Sequence, residues 1–332
     1  MDSLSELKDL LNAPKNVVIF SHRNPDGDAI GSSLALHLML EKNGHQVATA
    51  FPSEFPSTLS FLKDSDRILI HDFEAEEINE RIRRADIMFF LDFSGLDRID
   101  KMGEQVVLSQ AFKVHIDHHL DPEPFSDVMY WDADASSTSE LVFSFFGEMG
   151  FHRMIDSDIA NCLMTGLISD TGSFKYNVNP KTFNIAGDLL KYGIDINSLQ
   201  DNIYNRLSEK VLRLLGHCLV NRMEIIPEYK AGIIKLYKED YADFNIQRGD
   251  TEGIVNYLLM INEVEIAALI TEQPTIIKIS LRSKGNISVQ EIARDHFKGG
   301  GHKNAAGGAL YGSMDYVVTK FKNLLPKYIK KI

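Results

Sequence analysis

Only two cysteines, Cys162 and Cys218, occur in 332 residues. Two thiols cannot build a disulfide framework, so the sequence reads as that of a protein from a reducing compartment, the cytoplasm. No stretch approaches the ~18 consecutive apolar residues of a membrane span. The opening residues, Met1-Asp2-Ser3-Leu4-Ser5-Glu6, are acidic and lack the basic-then-apolar build of a secretion leader. Neither a G-x-G-x-x-G fingerprint nor a Walker lysine loop is present. Positive charge is also scarce: 35 Lys+Arg against 47 Asp+Glu give a net −12. Such a balance has no general attraction for long duplex DNA.

What is present fits a globular protein, with 44% hydrophobic and 25% charged residues. At roughly 150 residues per domain the length suggests two domains. The charge divides unevenly between them. Residues 1–190 hold 15 Lys+Arg and 31 Asp+Glu, whereas residues 191–332 hold 20 and 16. An acidic half followed by a mildly basic half suggests separate tasks, with a small anion held by a few local cations.

The first half alternates strand and helix signals. Val17-Val18-Ile19-Phe20 reads as a buried parallel strand, followed by a helix over 28–43 that stops at Gly44. Further strands are expected at 46–51, 67–71, 86–92 and 112–117, with a helix at 74–85. That alternation predicts a doubly wound, mainly parallel sheet. Helices then dominate: 137–149, 156–168, 181–192, 196–205 and 208–222. A smaller α/β domain follows, with strands at 231–237, 264–271 and 275–283 and helices near 251–261, 288–297 and 315–330. The expected division is 1–190, a helical connector over 191–225, and 226–332.

Four segments carry chemistry. His22-Arg23-Asn24-Pro25-Asp26-Gly27-Asp28 joins the first strand to a helix, where such sheets bind ligands. Its histidine and aspartates can converge on metal ions, although the same loop reads equally as a helix cap. Asp92 ends the apolar run Met88-Phe89-Phe90-Leu91, and alone it reads better as a cap. Asp117-His118-His119 ends the strand 112–117; imidazoles beside a carboxylate there are costly to bury unless they bind something. His115, inside that strand, reads as structural. Asp170, in Leu167-Ile168-Ser169-Asp170-Thr171-Gly172-Ser173-Phe174, reads equally as part of a helix-ending turn. Taken together the segments are far more specific. Asp26, Asp28, Asp92 and Asp170 supply four negative charges, enough for two divalent cations. A mixed carboxylate and imidazole set suits Mn²⁺ better than Mg²⁺. Two such ions about 3.5–4 Å apart suit in-line attack on phosphorus. A fifth segment, Gly299-Gly300-Gly301-His302-Lys303-Asn304-Ala305-Ala306-Gly307-Gly308, reads as a loop whose glycines let backbone N–H groups approach an anion.

These segments, in this order, resemble the DHH phosphoesterase superfamily, which takes its name from the triplet seen at Asp117-His118-His119. The pieces HRNPDGD, LDFS, IDHH and LISDTGSF match its metal motifs, and GGGHKNAAGG matches its C-terminal DHH-associated domain. The resemblance covers about residues 17 to 312. It is strongest to the short-chain oligoribonucleases, or nanoRNases, which also remove the 3′-phosphate of phosphoadenosine phosphate.

The resemblance implies two divalent ions, Mn²⁺ foremost with Mg²⁺ or Co²⁺ as alternatives. One takes His22, Asp26 and Asp92; the other takes Asp28, Asp92, His118 and Asp170, so that Asp92 bridges. A bridging hydroxide is then the nucleophile. His119 faces the substrate as a phosphate contact or proton donor, and Asp117 orients its neighbours. Arg98, Arg282, Gly300, Gly301 and His302 are the expected substrate contacts. The implied partners are short single-stranded RNA, dinucleotides and phosphoadenosine phosphate, without long duplexes or membranes; a homodimer is compatible with the chain. Length argues against the long-strand exonucleases and the membrane-tethered cyclic-dinucleotide enzymes of the superfamily. The nearest alternative is a soluble phosphodiesterase for cyclic di-AMP and its linear dinucleotide, and a remoter one is a non-catalytic nucleotide-binding regulator.

Overall fold

A computed structural model describes residues 3–329 apart from 206 and 248. The chain forms two compact units, which divide between residues 206 and 207. The expected connector, 191–225, thus contributes to both.

The first unit holds six strands: β1 (Asn16–Phe20), β2 (Gln46–Phe51), β3 (Leu69–Ile70), β4 (Ile87–Leu91), β5 (Phe112–Asp117) and β6 (Val128–Trp131). They form one sheet in the order β3-β2-β1-β4-β5-β6, with every pair parallel. Its helices are α1 (Ser3–Leu10), α2 (Gly27–Lys42), α3 (His71–Arg84), α4 (Met102–Leu108), α5 (Thr138–Met149), α6 (Ser157–Asp170), α7 (Pro180–Leu190) and α8 (Ile196–Tyr204).

The central strands lack polar alternation because both faces are buried. Val17 and Ile19 of β1, with Ile87, Phe89 and Leu91 of β4, pack into a core shared with α2, α5 and α6. Val18, Phe20, Met88 and Phe90 pack into a second core with α3 and α4 on the opposite face. Against the first face α2 and α6 approach closely. A Cβ on Gly31 would collide with the Cys162 carbonyl, and one on Gly166 with the Asp28 carboxylate and the Ser139 hydroxyl.

The second unit comprises α9 (Glu209–His217), β7 (Met223–Ile226), β8 (Ala231–Leu236), α10 (Lys238–Asp243), α11 (Ile254–Leu259), β9 (Ile266–Glu272), β10 (Ile277–Ser283), α12 (Val289–Phe297), β11 (Gly300–His302), β12 (Ala305–Leu310) and α13 (Met314–Tyr328). The sheet order is β11-β12-β10-β9-β8-β7, antiparallel except for β8 against β9. Ile277, Ile279 and Leu281 of β10 face a core built with α12 and α13. Ala267 and Leu269 of β9 face the other way, onto α9 and α11.

Several expectations need correction. The glycine-rich segment is not a loop: Gly300 to His302 pair with Ala305 to Gly307 as an antiparallel hairpin. Packing demands one of its glycines, since a Cβ on Gly308 would press on the Phe297 backbone, whereas a Cβ on Gly300 would meet nothing within 4 Å. The strand expected at 67–71 shrinks to Leu69–Ile70, because the Glu74 carboxylate accepts from the Ile70 N–H at 2.8 Å and the helix begins at once. The helix expected over 208–222 ends at His217 and continues as a π-helical turn over 218–222. Strands β6, β7, β11 and β12 and helices α4 and α10 are additional to the elements expected from the sequence.

A candidate metal centre at the carboxyl ends of the parallel strands

Strand order reverses between β1 and β4, and at such a reversal the loops leaving the two strands open a crevice. His22 follows β1 and Asp92 follows β4, so the fold sets them face to face. His22 Nε2 lies 3.5 Å from Asp92 Oδ2. Asp92 takes a left-handed backbone conformation, with φ of 67°. Such geometry in a non-glycine residue is a strained feature that surrounding structure must hold. Here the Thr138 hydroxyl donates to Asp92 Oδ1 at 3.0 Å.

From β5 comes His118, buried, with Nε2 3.2 Å from Asp170 Oδ2 and 3.6 Å from Asp92 Oδ1. Asp170 is the last residue of α6. Asp26 caps α2, its Oδ1 accepting from the N–H groups of Asp28 and Ala29. The capping reading and the ligand reading of this aspartate are therefore compatible. Candidate ligand atoms of His22, Asp26 and Asp92 lie within 4.8 Å of one another, as do those of Asp28, Asp92 and His118. Asp92 belongs to both groups.

Asp28 is fully buried and is held by the first turn of α5. Its carboxylate accepts from the Thr138 N–H at 2.6 Å and the Ser139 N–H at 2.9 Å. These N–H groups have no partner within their own helix, and the helix dipole favours negative charge there. The segment 135–140 lies outside the motifs that the sequence marks as chemical. Besides gripping Asp28 and Asp92, it supplies the Ala135 carbonyl to His118 Nδ1, at 3.1 Å. Buried Glu140 braces it by accepting from the Ser136 N–H and hydroxyl and from the Thr182 hydroxyl. The only local signal was the helix-opening pattern of Ser137 with Glu140 three residues on.

His119 Nδ1 donates to Asp117 Oδ1 at 2.7 Å, and Asp117 is wholly buried. Burial works to raise the Asp117 carboxyl, but the His119, His115 and His118 imidazoles hold it below the ordinary range. His115 is buried, with Nε2 2.7 Å from the Phe93 carbonyl.

The donor set suits cations. His22 Nδ1 faces the Arg23 carbonyl at 3.0 Å and His118 Nδ1 faces that of Ala135. A carbonyl only accepts, so each neutral ring carries its proton on Nδ1 and turns the Nε2 lone pair toward carboxylates. Lone pairs and carboxylate oxygens gathered this closely call for positive charge among them. Without it the cluster retains protons. Burial, then the neighbouring Asp170, pushes Asp28 up; burial, then Asp28 and Asp26, pushes Asp92 well up. His118 is opposed by burial yet raised well above its usual value by Asp170, Asp92 and Asp28.

Arg98 stands apart from this cluster in its contacts: it is exposed on a 3-10 turn, and its carbonyl accepts from the Arg23 N–H. The other expected contacts lie in the second unit. Arg282 pairs with Ala305, which pairs with His302, so the three occupy one row and leave the sheet on one face. The next row holds Ser280, Gly307 and Gly300. Small residues thus leave open space beside Arg282 and His302. Gly301 lies in the row between, facing the other way.

Residues 16–167 match the N-terminal domain of the DHH family, and residues 231–331 match the DHHA1 domain. A Streptococcus mutans protein named "Probable bifunctional oligoribonuclease and PAP phosphatase NrnA" is 30% identical, with 95% of this chain and 96% of that protein covered. The bifunctional oligoribonuclease and PAP phosphatase NrnA of Bacillus subtilis is 27% identical over 92% and 93%. The crystal structure of an exopolyphosphatase-related protein from Bacteroides fragilis superposes with a TM-score of 0.93 at 39% identity, covering 98% of this chain and 96% of that one. Fold, site and relatives together define a hydrolase of phosphate esters. The chain belongs to the DHH family, with a DHHA1 domain after its DHH domain.

Proposed function

We propose that this protein is a manganese-dependent, two-metal phosphodiesterase and phosphatase. It hydrolyses short oligoribonucleotides to mononucleotides and removes the 3′-phosphate of phosphoadenosine phosphate. The observation that carries this reading is the pair of ligand clusters sharing Asp92 where the strand order reverses. The activities in the names of the Streptococcus and Bacillus relatives support the substrate class.

One ion would be held by His22, Asp26 and Asp92, and the other by Asp28, Asp92, His118 and Asp170. The mixed imidazole and carboxylate set favours Mn²⁺. When bound, such ions acidify water near neutral pH and take up charge on phosphoryl oxygens. The residues of the chain do the rest. The α5 N-terminus fixes Asp28, and the Ala135 and Arg23 carbonyls fix the rings of His118 and His22. Asp117 tethers His119 at Nδ1 and leaves Nε2 to contact a phosphate or hand a proton to the leaving oxygen. Arg98, Arg282, His302 and the backbone of Gly300 and Gly301 bind the substrate phosphates. Both cysteines are buried and free, in keeping with a cytoplasmic protein.

The test is a panel of pApA, RNAs of two to five nucleotides, phosphoadenosine phosphate, cyclic di-AMP and pyrophosphate, with Mn²⁺ and with products resolved. Release of mononucleotides from short RNA, lost on chelation and in Asp92→Ala, is expected. Near-normal turnover by Asp92→Ala, or activity that survives exhaustive chelation, contradicts the two-metal reading. Turnover confined to cyclic di-AMP and pApA assigns the enzyme to cyclic-dinucleotide breakdown instead.

A further inference from the structure

Beyond Asp170 the chain enters a loop with unusual backbone geometry. Gly172, Ser173 and Phe174 have φ values of 56°, 63° and 63°, and Asn177 follows at 51°. Left-handed conformations are unfavourable for bulky residues and persist only where contacts impose them. The contacts are present. The Thr171 hydroxyl accepts from the Phe174 N–H at 2.8 Å, and the Thr171 carbonyl accepts from Lys175 and Tyr176 at 2.9 and 2.8 Å. Gln200 Nε2 donates to the Ser173 hydroxyl at 2.6 Å.

The loop displays aromatic rings and cations. Phe174 stacks on Phe183 of α7, with centroids 5.7 Å apart and planes at 27°. Phe183 is 54% exposed and Tyr176 42%. Lys175 Nζ lies 5.1 Å from the Tyr176 ring centroid. This basic and aromatic spot stands out in a half-chain with 31 acidic and 15 basic side chains. It also lies close to the metal centre. A Cβ on Gly172 would come 2.8 Å from the Tyr176 ring, so the ring rests on a residue two positions from Asp170. Two residues span at most ~7 Å.

Exposed ring faces beside a cation, next to a phosphate-cleaving centre, have the chemistry that binds single-stranded nucleotides. A ring accepts any base by stacking, and a cation takes the phosphate. We propose that Tyr176 and Phe183, with Lys175, form a nucleobase-stacking subsite on the rim of the metal centre. It takes the base of a nucleotide neighbouring the scissile phosphate, and it rests on the phosphoesterase reading above. The backbone geometry of the loop serves to hold the rings in place before substrate arrives.

The test compares two ligands that share a phosphate and differ in the base: AMP and ribose 5-phosphate. Both are titrated by calorimetry into the full-length, Mn²⁺-loaded protein. The wild type should bind AMP more tightly. Tyr176→Ala should weaken AMP about 5- to 10-fold, toward ribose 5-phosphate, with ribose 5-phosphate affinity little changed. Tyr176→Phe should keep the wild-type preference, and Phe183→Ala should reduce it. A purely structural role for Tyr176 would instead lower both affinities together in Tyr176→Ala, and that result overturns the subsite. A wild type that binds both ligands equally also overturns it, while leaving the phosphoesterase reading intact. A wild type that binds Mn²⁺ but neither ligand overturns both.

Discussion

Asp28 and Gly166 meet where α2 crosses α6: a Cβ on Gly166 would land on the Asp28 carboxylate. Gly166→Ala should therefore displace a proposed ligand without removing any ligand. We expect Mn²⁺ affinity to fall about 10- to 100-fold, the range for disturbing a ligand's supporting contacts. Stability should drop by ~1–3 kcal/mol from overpacking. Gly187→Ala on α7, where a Cβ would meet nothing within 4 Å, is the control and should leave metal binding alone. Metal titration and thermal unfolding of both variants settle the matter; equal Mn²⁺ affinity in the two would refute the placement of Asp28 in the centre.

Arg282 and His302 leave the second sheet from one row, beside the bare positions of Gly300 and Gly307. Replacing either by Ala should weaken substrate binding by ~1.5–3 kcal/mol, the range for a hydrogen bond to a charged group. Metal content should stay at the wild-type level. His302→Ala should also slow turnover, since a misplaced phosphate spoils in-line geometry. Steady-state kinetics on a dinucleotide, with metal analysis of the same samples, test this. Wild-type constants in both variants would remove phosphate recognition from this face.

Asp240 gives the second unit a pH-dependent component of stability. It is buried, and its carboxylate accepts from Arg222, His217 and the Tyr237 N–H. Burial alone would raise it, but the Arg222 and Tyr237 hydrogen bonds, then that of His217, leave it below its usual value. A depressed carboxyl stabilises the fold above its unfolded-state value, near 3.9, and loses that contribution as pH falls through the folded value. Asp240→Asn should thus cost about 1–3 kcal/mol at pH 7, discounted for the partly exposed partners. The deficit should shrink as the medium is acidified below about pH 4. Denaturant unfolding of both proteins across that range is the measurement; a deficit independent of pH would show that the charge contributes nothing.

The first sheet was largely legible because its strands end in chemistry. Val17 to Phe20 runs into His22, Met88 to Leu91 into Asp92, and Phe112 to Ile116 into Asp117, His118 and His119. An apolar run that stops at a histidine or an aspartate gives strand, direction and a candidate site in one stroke. The segment 135–140 carries no such signal. Its serines and threonine look like an ordinary helix start, and the residue they serve, Asp28, is 110 positions away. A local pattern cannot show a partner at that distance.

The glycine-rich hairpin is illegible as strand for a related reason. Glycine and alanine have little strand preference of their own. At Gly308 the glycine is imposed by the Phe297 backbone, which leaves no room for a side chain, while Gly300 leaves open space instead. Strand β6 was missed because four residues at a sheet edge, after two prolines, offer little periodicity to detect.

The double burial of β1 and β4 leaves their alignment to other forces. Where one face of a strand is wet, the hydrophobic pattern forbids a one-residue slip. Here both faces are apolar, and a slip would exchange one buried side chain for another. Polar contacts at the strand ends must then act as stops. At the start, the Asp86 N–H donates to the Asn16 carbonyl, and the Asp86 carboxylate accepts from the Asn16 N–H at 2.8 Å. At the finish, the buried Ser21 hydroxyl donates to the Leu91 carbonyl at 2.8 Å. One step of slippage would carry His22 about 3.3 Å past Asp92. The spacing of His22 and Asp92, the proposed metal ligands, is thus set at both ends of the strands, and Asp86, at the far end, helps to hold a distance on which the proposed centre depends.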